Sequence, residues 1–337
     1  AFAGASQTGR WSSKGLQVQN MKNPPSDMDT KTFFKLLEDR ASLEEIRQFS
    51  PDIHKYIGCS IRHFVQGPFI ACDYASIEAR VLAWLAGDEE LISDFEENFD
   101  VYVKMAAKVF HVKPSKVTKP QRQIGKMLVL GAGFGLSGGG FYKQAGNHIV
   151  DGKTEDEKKG LAVEYIDVWR DNNSAIVDYW EQCMGAAHEA MKHPGRVIIV
   201  GKCSYIYCSV AKEPHLLCRL PSGRCISYLR PEYRKMTMPW GDKQLALCFW
   251  CKNPHSVNYY WRSLYGGLLS QGQTQATAAD VMMVGFNYLM KEGLDVRMLV
   301  HDEAVIMRPE WSGDDGSLCR HIERTMCCGV DHVPWMT

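Results

Sequence analysis

The 337-residue chain has no apolar run approaching the roughly 18 to 20 residues that a membrane-spanning helix needs. A bundle of transmembrane helices is therefore excluded. The first residues form no signal-peptide pattern, and the twelve cysteines are scattered along a long chain, so free thiols are expected in place of a disulfide scaffold. Internal repeats and low-complexity linkers are also missing, which excludes a solenoid and suggests subdomains that interleave. Net charge is zero, with 39 Lys and Arg against 39 Asp and Glu, so overall charge alone points to no polyanionic partner. What is present is 45% apolar and 11% aromatic residues, enough for a sizeable folded core.

The zero net charge hides segregation. From Asp73 to Asp100 there are nine acidic residues and one basic residue, Arg80. From Val101 to Val150 there are eight Lys and Arg and no acid. Side by side, these blocks suggest a cation-binding site next to an anion-binding surface, with solvated helix faces as the plainer reading.

Periodicity predicts helices over 31–49, 53–65, 77–85, 101–110, 119–130, 155–191 and 273–290. Short apolar runs predict strands at 69–72, hairpins between 196 and 250, and a strand pair over 296–307. The polar stretch TGRWSSKGLQVQNMKNPPSD should be extended or looped.

Three segments carry chemistry. In FIACDYASIEARVLAWLAGD an apolar strand delivers Asp73 at its end and a helix brings Glu78 to the same corner. Strand-end carboxylates suit Mg²⁺, which takes one or two of them and fills its shell with water and phosphate. A helix N-cap is the alternative role for Asp73. In KPQRQIGKMLVLGAGFG, Arg122, Lys126, Leu130 and Phe134 recur at i+4, two cations followed by two apolar groups. That order suits a nucleotide, though an amphipathic helix with solvated cations has the same pattern. In MLVHDEAVI a polar triplet inside apolar flanks predicts a hairpin with Asp302 at its tip, whether for function or as a plain turn. If Asp302 met Asp73, the pair could bridge two Mg²⁺ about 3.5–4 Å apart, the arrangement used for nucleotidyl transfer. Gly133-x-Gly135-x-x-Gly138 matches a dinucleotide fingerprint but follows a helical pattern, which argues against it.

Together the segments resemble motifs A, B and C of the family A DNA polymerases, the DNA polymerase I type. Asp73-Tyr74-Ala75-Ser76-Ile77-Glu78-Ala79-Arg80 is similar to the family's Asp-Tyr-Ser-Gln-Ile-Glu-Leu-Arg, Arg122-x-x-x-Lys126 to the start of its O helix, and His301-Asp302-Glu303 to its last motif. Thr8-Gly9-Arg10-Trp11-Ser12-Ser13 with Gln19-Asn20 resembles its primer-template strand motif. Lys119–Lys126, Leu220-Pro221-Ser222-Gly223-Arg224 and Tyr265-Gly266-Gly267 are most similar to phage and viral members.

The resemblance implies an α+β fold, a right-hand palm of antiparallel sheet and helices with mostly helical fingers, the thumb and exonuclease domain being absent. The palm would comprise 1–90 and 258–337, and the fingers with a hairpin region 91–257. It implies a DNA polymerase working by two-Mg²⁺ nucleotidyl transfer on primer-template DNA and dNTPs in viral replication. Asp73, Asp302 and Lys126 would be catalytic; Asp73, the Tyr74 carbonyl, Asp302 and Glu303 would serve the metals. Arg122, Lys126, Leu130, Phe134 and Glu78 would bind the nucleotide, Glu78 by excluding a 2′-hydroxyl. Arg10, Gln19, Asn20, Gln275 and His301 would contact DNA. A monomer in the (host) cytoplasm is expected, with processivity or other replication proteins as further partners. A single-subunit RNA polymerase and an idle DNA-binding fragment are the alternatives; Glu78 and the Glu after Asp302 speak against the first.

Several positions depart from the family pattern. Leu130 stands where Phe or Tyr is usual, which predicts poor dideoxynucleotide use, while Leu299 and Gln17 replace a usual Gln and Asn. Cys248, Cys251 and His255 have partial zinc spacing without a fourth ligand.

Overall fold

The computed structural model describes residues 2–5, 7–13, 29–49, 52–60, 67–149, 154–237, 241–253 and 258–331. Strands β1 (Phe2–Ala5) and β2 (Trp11–Ser13) pair antiparallel, followed by short helices α1 (Thr30–Glu38), α2 (Leu43–Phe49) and α3 (Ile53–Ser60). Strand β3 (Phe69–Asp73) leads into a helical series: α4 (Ile77–Ala86), α5 (Glu89–Glu96), α6 (Val101–Phe110), α7 (Lys119–Ala132), α8 (Gly138–Ala145), α9 (Glu155–Asn172) and α10 (Ser174–Lys192). Seven strands come next: β4 (Ile198–Val200), β5 (Cys203–Val210), β6 (Glu213–Arg219), β7 (Cys225–Leu229), β8 (Glu232–Thr237), β9 (Lys243–Lys252) and β10 (Tyr259–Ser263). The long helix α11 (Gly266–Lys291), the hairpin β11 (Val296–Val300) and β12 (Glu303–Met307), and α12 (Asp315–Asp331) complete the order. The class is α+β, and every sheet among the described residues is antiparallel.

The chain divides into two compact units that interleave in sequence. The first takes residues up to Tyr74, except Gln7–Gly9, and those from Met282 to His332. Its sheet has the order β11-β12-β3. Leu318, Ile322 and Met326 form one i+4 stripe of α12 and share a core with Leu289, Leu299, Ala304 and Ile306. Toward the N-terminal side Phe33, 1% exposed, collects the rings of Phe34, Phe49 and Tyr56.

The second unit holds Ala75–Val281. Its core contains Ile124 and Leu128 of α7, Phe141 of α8, Ile166 and Trp169 of α9, and Ile176 of α10. The stacked rings of Trp169 and Trp180, 6.0 Å apart, join α9 to α10. Helix α7 starts on a capping box in which Thr118 and Gln121 satisfy each other's backbone N–H groups, and Pro120 occupies its first turn. The same unit contains the sheets β4-β5-β6-β7 and β10-β9-β8.

Two predicted helices are each divided. The 31–49 pattern breaks at Arg40, which has φ 54°, and restarts at Ser42, whose side chain and that of Glu45 cap α2 reciprocally. The Ser-x-x-Glu signature was in the sequence, beneath a continuous apolar periodicity. The 155–191 pattern breaks at Asn173, whose side-chain amide donates to the Trp169 carbonyl at 2.7 Å. Helix α11 begins at Gly266, before the predicted 273, because paired glycines obscure a helix start.

Candidate active site

The acidic cluster lies in the first unit. Strands β11 and β12 are joined by a two-residue turn, His301-Asp302, with Val300 opposite Glu303. His301 takes the left-handed conformation at φ 58°, a region where His, Asn and Asp are the commonest non-glycine residues. Strand β12 then pairs with β3 so that Glu303 sits directly opposite Asp73. One register step further the Tyr74 N–H donates to the Asp302 carbonyl at 3.3 Å. Backbone pairing thus gathers three carboxylates. Burial, and then the charges of Asp302 and Glu303, push the Asp73 carboxyl above its ordinary value of 3.8.

Tyr74 is fixed from behind. Its hydroxyl donates to the Met326 carbonyl at 2.9 Å, and a side chain at Gly285 would strike that hydroxyl, so α11 approaches Tyr74 only because position 285 is glycine. Its neighbour Cys72 packs toward the α12 core, where burial and then the Glu323 charge push its thiol up to about 11. Arg10, half-buried, immediately precedes β2 in the same unit. Gln19 and Asn20 lie outside the described residues.

The basic helix belongs to the second unit. Lys126 and Leu130 are exposed on α7, and Arg122 and Phe134 are half-buried. Arg122 donates its Nε–H to Asp100 Oδ2 at 2.7 Å, and its guanidinium lies 5.3 Å from the Tyr102 ring centroid. Burial raises the Asp100 carboxyl, but the Arg122 hydrogen bond and the N–H groups of Val103 and Tyr102 outweigh it, so its net shift is downward. Lys104 bonds to both Asp94 oxygens and pairs with Glu90, which also pairs with Lys108. The segregated charge blocks therefore partly neutralise each other across α5 and α6. Lys113, Lys116, Lys119 and Lys126 remain exposed. Glu78 is half-buried in the first turn of α4, one residue after Ile77 and two after Ser76, which is left-handed at φ 56°.

Further positioning residues emerge that periodicity alone did not single out. Side chains at Gly266 and Gly267 would collide with the backbones of Trp180 and Phe134, so this pair sets how closely α11 begins against α10 and the end of α7. Gln273 is fully buried: its carbonyl accepts from the Tyr179 hydroxyl at 2.7 Å and its amide donates to the Tyr205 hydroxyl at 2.8 Å. Arg224, in the Leu-Pro-Ser-Gly-Arg segment, donates to Asp280 at 2.8 Å and to the carbonyls of Ala276 and Thr8 at 2.8 and 2.9 Å. It therefore ties the N-terminal Thr-Gly segment to the α11 turn carrying Gln275. Half-buried Gln275 lines a cavity of about 110 Å³ with Gln7, Thr8 and Arg262.

The two cysteines of the partial zinc motif do not converge, and His255 lies outside the described residues. Cys248 and Cys251 are three positions apart on β9 and so point to opposite faces of the sheet. Among the described residues no group of three or more His, Cys, Asp or Glu could hold a metal ion by itself. The Asp73–Asp302 pair has the donor set of a different kind of site. Two carboxylates, crowded by a third, fit Mg²⁺, whose remaining ligands are water and substrate phosphate.

The family model for DNA polymerase family A matches residues 3–201, more than half of the chain. The DNA polymerase of Bacillus phage SP02 is 31% identical over 315 residues, covering 91% of this chain and 46% of that protein. The DNA polymerase I of Pseudomonas aeruginosa is 28% identical over 243 residues, covering 70% of this chain and 20% of that one. Among solved structures, the POL domain of Pol1 from M. smegmatis, in complex with DNA primer-template and dNTP, matches with a TM-score of 0.52 and 19% identity, over 96% of this chain and 43% of that one. The chain thus spans less than half the length of these relatives. With motif order, fold and family match in agreement, the chain belongs to the family A DNA polymerases.

Proposed function

We propose that this chain is the polymerase portion of an enzyme that adds dNTPs to a primer 3′ end under the direction of a DNA template. The observation that carries this reading is the gathering of Asp73, Asp302 and Glu303 by the β3–β12 register and the Tyr74-to-Asp302 backbone bond. Like charges placed together at a strand end raise the energy of the free cluster, and a divalent cation relieves it. Asp73, Asp302 and the Tyr74 carbonyl would hold two Mg²⁺, with Glu303 supporting them. Bound there, the ions would lower the pKa of the primer 3′-hydroxyl and neutralise charge on the triphosphate.

The remaining roles fall to this chain's own side chains. Arg122 and Lys126 bind the triphosphate, and Arg122 must then leave Asp100. Leu130 and Phe134 flank the base and sugar, and Glu78 excludes a 2′-hydroxyl. Arg10, Gln275 and His301 contact primer-template DNA, a role the family resemblance implies also for Gln19 and Asn20. The phage relative supports a place in viral DNA replication.

Primer extension with Mg²⁺ and separate dNTP and rNTP sets tests the reading. The expected outcome is extension with dNTPs alone, abolished in Asp302→Asn with DNA binding retained. Full activity in Asp302→Asn overturns the catalytic assignment, and preferred rNTP incorporation assigns the chain to RNA synthesis.

A further inference from the structure

The β8–β10 sheet has an aromatic face that the polymerase reading does not use. Residues directly opposite in neighbouring strands share a face, and Trp250 of β9 is opposite Trp261 of β10, with Lys252 opposite Tyr259. Arg234 of β8 is opposite Ala246, an even number of positions along β9, so it emerges on that face too. The rings form a row: Trp250 stacks on Tyr259 at 6.1 Å and 15°, and lies 5.0 Å from Trp261. The Arg234 guanidinium caps the row, 4.5 Å from the Trp261 ring centroid.

This face is not the one the sheet buries. The opposite face carries Leu247 and Phe249, 1% and 2% exposed, and Phe249 meets the Tyr228 ring of β7 edge-on. It also carries Tyr233, which stacks on His188 of α10 and bonds to its ring nitrogen at 2.7 Å. On the aromatic face Tyr259 is 50% exposed, and Trp250 and Trp261 are half-buried. On this face the register places two cations, Lys252 at the end of β9 and Arg234, which pairs with Glu232 beside it; Lys235, Lys243 and Arg262 emerge on the other face. Each base of a single strand has a flat face to stack on such rings and a phosphate for the cations, and single-stranded nucleic acid is held by this combination. An apolar protein partner would account for the rings but not for Lys252 beside Tyr259, at the open end of the row.

We propose that the β8–β10 sheet is a binding surface for single-stranded DNA, with bases on Tyr259, Trp250 and Trp261 and a phosphate on Lys252. None of its residues is among those assigned to the metals or to the nucleotide.

The test is direct binding by the full chain of a fluorescein-labelled oligothymidylate, about 16 nucleotides long to match the upper site size of such surfaces. Anisotropy gives the affinity and intrinsic tryptophan quenching reports stacking. Tyr259→Leu keeps an apolar strand residue but removes the ring, and is expected to weaken binding about tenfold. Lys252→Glu is expected to weaken it and flatten its salt dependence. Trp250→Phe retains a ring and most of the affinity, which separates stacking from damage to the fold. Wild-type affinity in Tyr259→Leu and Lys252→Glu, or binding without tryptophan quenching, overturns the proposal. So does self-association that Tyr259→Leu abolishes while oligothymidylate binding stays unchanged. If the wild type extends no primer yet Tyr259→Leu weakens binding, the polymerase reading fails and this surface stands.

Discussion

Asp73 is held against Asp302 and Glu303 by the strand register, with like charge opposing like charge. Its carboxyl binds a proton more tightly folded than unfolded, so in metal-free buffer stability falls as pH rises from about the ordinary value of 3.8 through the raised one. Asp73→Asn is expected to flatten that dependence and to raise Tm by about 1–3 °C in EDTA, read by thermal melts across pH. Added Mg²⁺ should raise the wild-type Tm, and leave that of Asp73→Asn unchanged. At Arg122 the competitor for the triphosphate is Asp100, which also caps α6. Asp100→Asn keeps a good cap and removes the charge, so the dNTP KM should fall by about two- to fivefold with kcat little changed. Leu130→Tyr should increase dideoxynucleotide incorporation; an unchanged ratio of dideoxy- to deoxynucleotide use would refute the role given to this exposed side chain. Asp73 and Asp302 were legible because each is a charge interrupting an apolar strand, a pattern that solvation alone does not produce. The Arg122–Asp100 pair was not, since it joins two helices across a stretch in which the sequence shows only separated blocks of charge.

Helices α6 and α7 meet where Gly125 faces the Tyr102 carbonyl, and a Cβ there would overlap backbone that cannot yield cheaply. Gly125→Ala should therefore cost about 2 kcal/mol or more, lowering Tm by about 4–8 °C in calorimetry, even though alanine is the better helix former. Periodicity located nine of the twelve described α-helices and the β11–β12 hairpin, because a one-sided apolar stripe is a local property, but it missed α5, α8 and α12. It placed helix ends less well, since the Ser42 and Asn173 breaks depend on caps lying under an unbroken apolar pattern. The strands between 196 and 250 were readable only as hairpins of unspecified pairing, and β10 was not read at all, because register there is fixed by distant partners such as Tyr228 against Phe249. Gln273 illustrates the same limit. A glutamine in a helix reads as a surface residue until the two tyrosine hydroxyls bonded to it are known.

The first unit joins sequence from both sides of the second, so β3 finds β12 only after more than two hundred intervening residues. Strand β3 pairs with β12 and, among the described strands, with no other. That pairing sets an order of events during synthesis. At roughly 5–20 residues per second, β3 would leave the ribosome on the order of ten to forty seconds before its partner exists. The second unit is made during that interval, and meanwhile the Asp73 strand is an open edge able to pair with other chains. Chains ended after residue 281 and released from the ribosome should yield a protease-resistant Ala75–Val281 fragment with residues before Tyr74 cut, and chains that include β12 should protect both. Equal protection of both segments at that length would contradict this order. The strand pairing that gathers the carboxylates is thus also a timing device: the charge cluster cannot assemble until the second unit has been made.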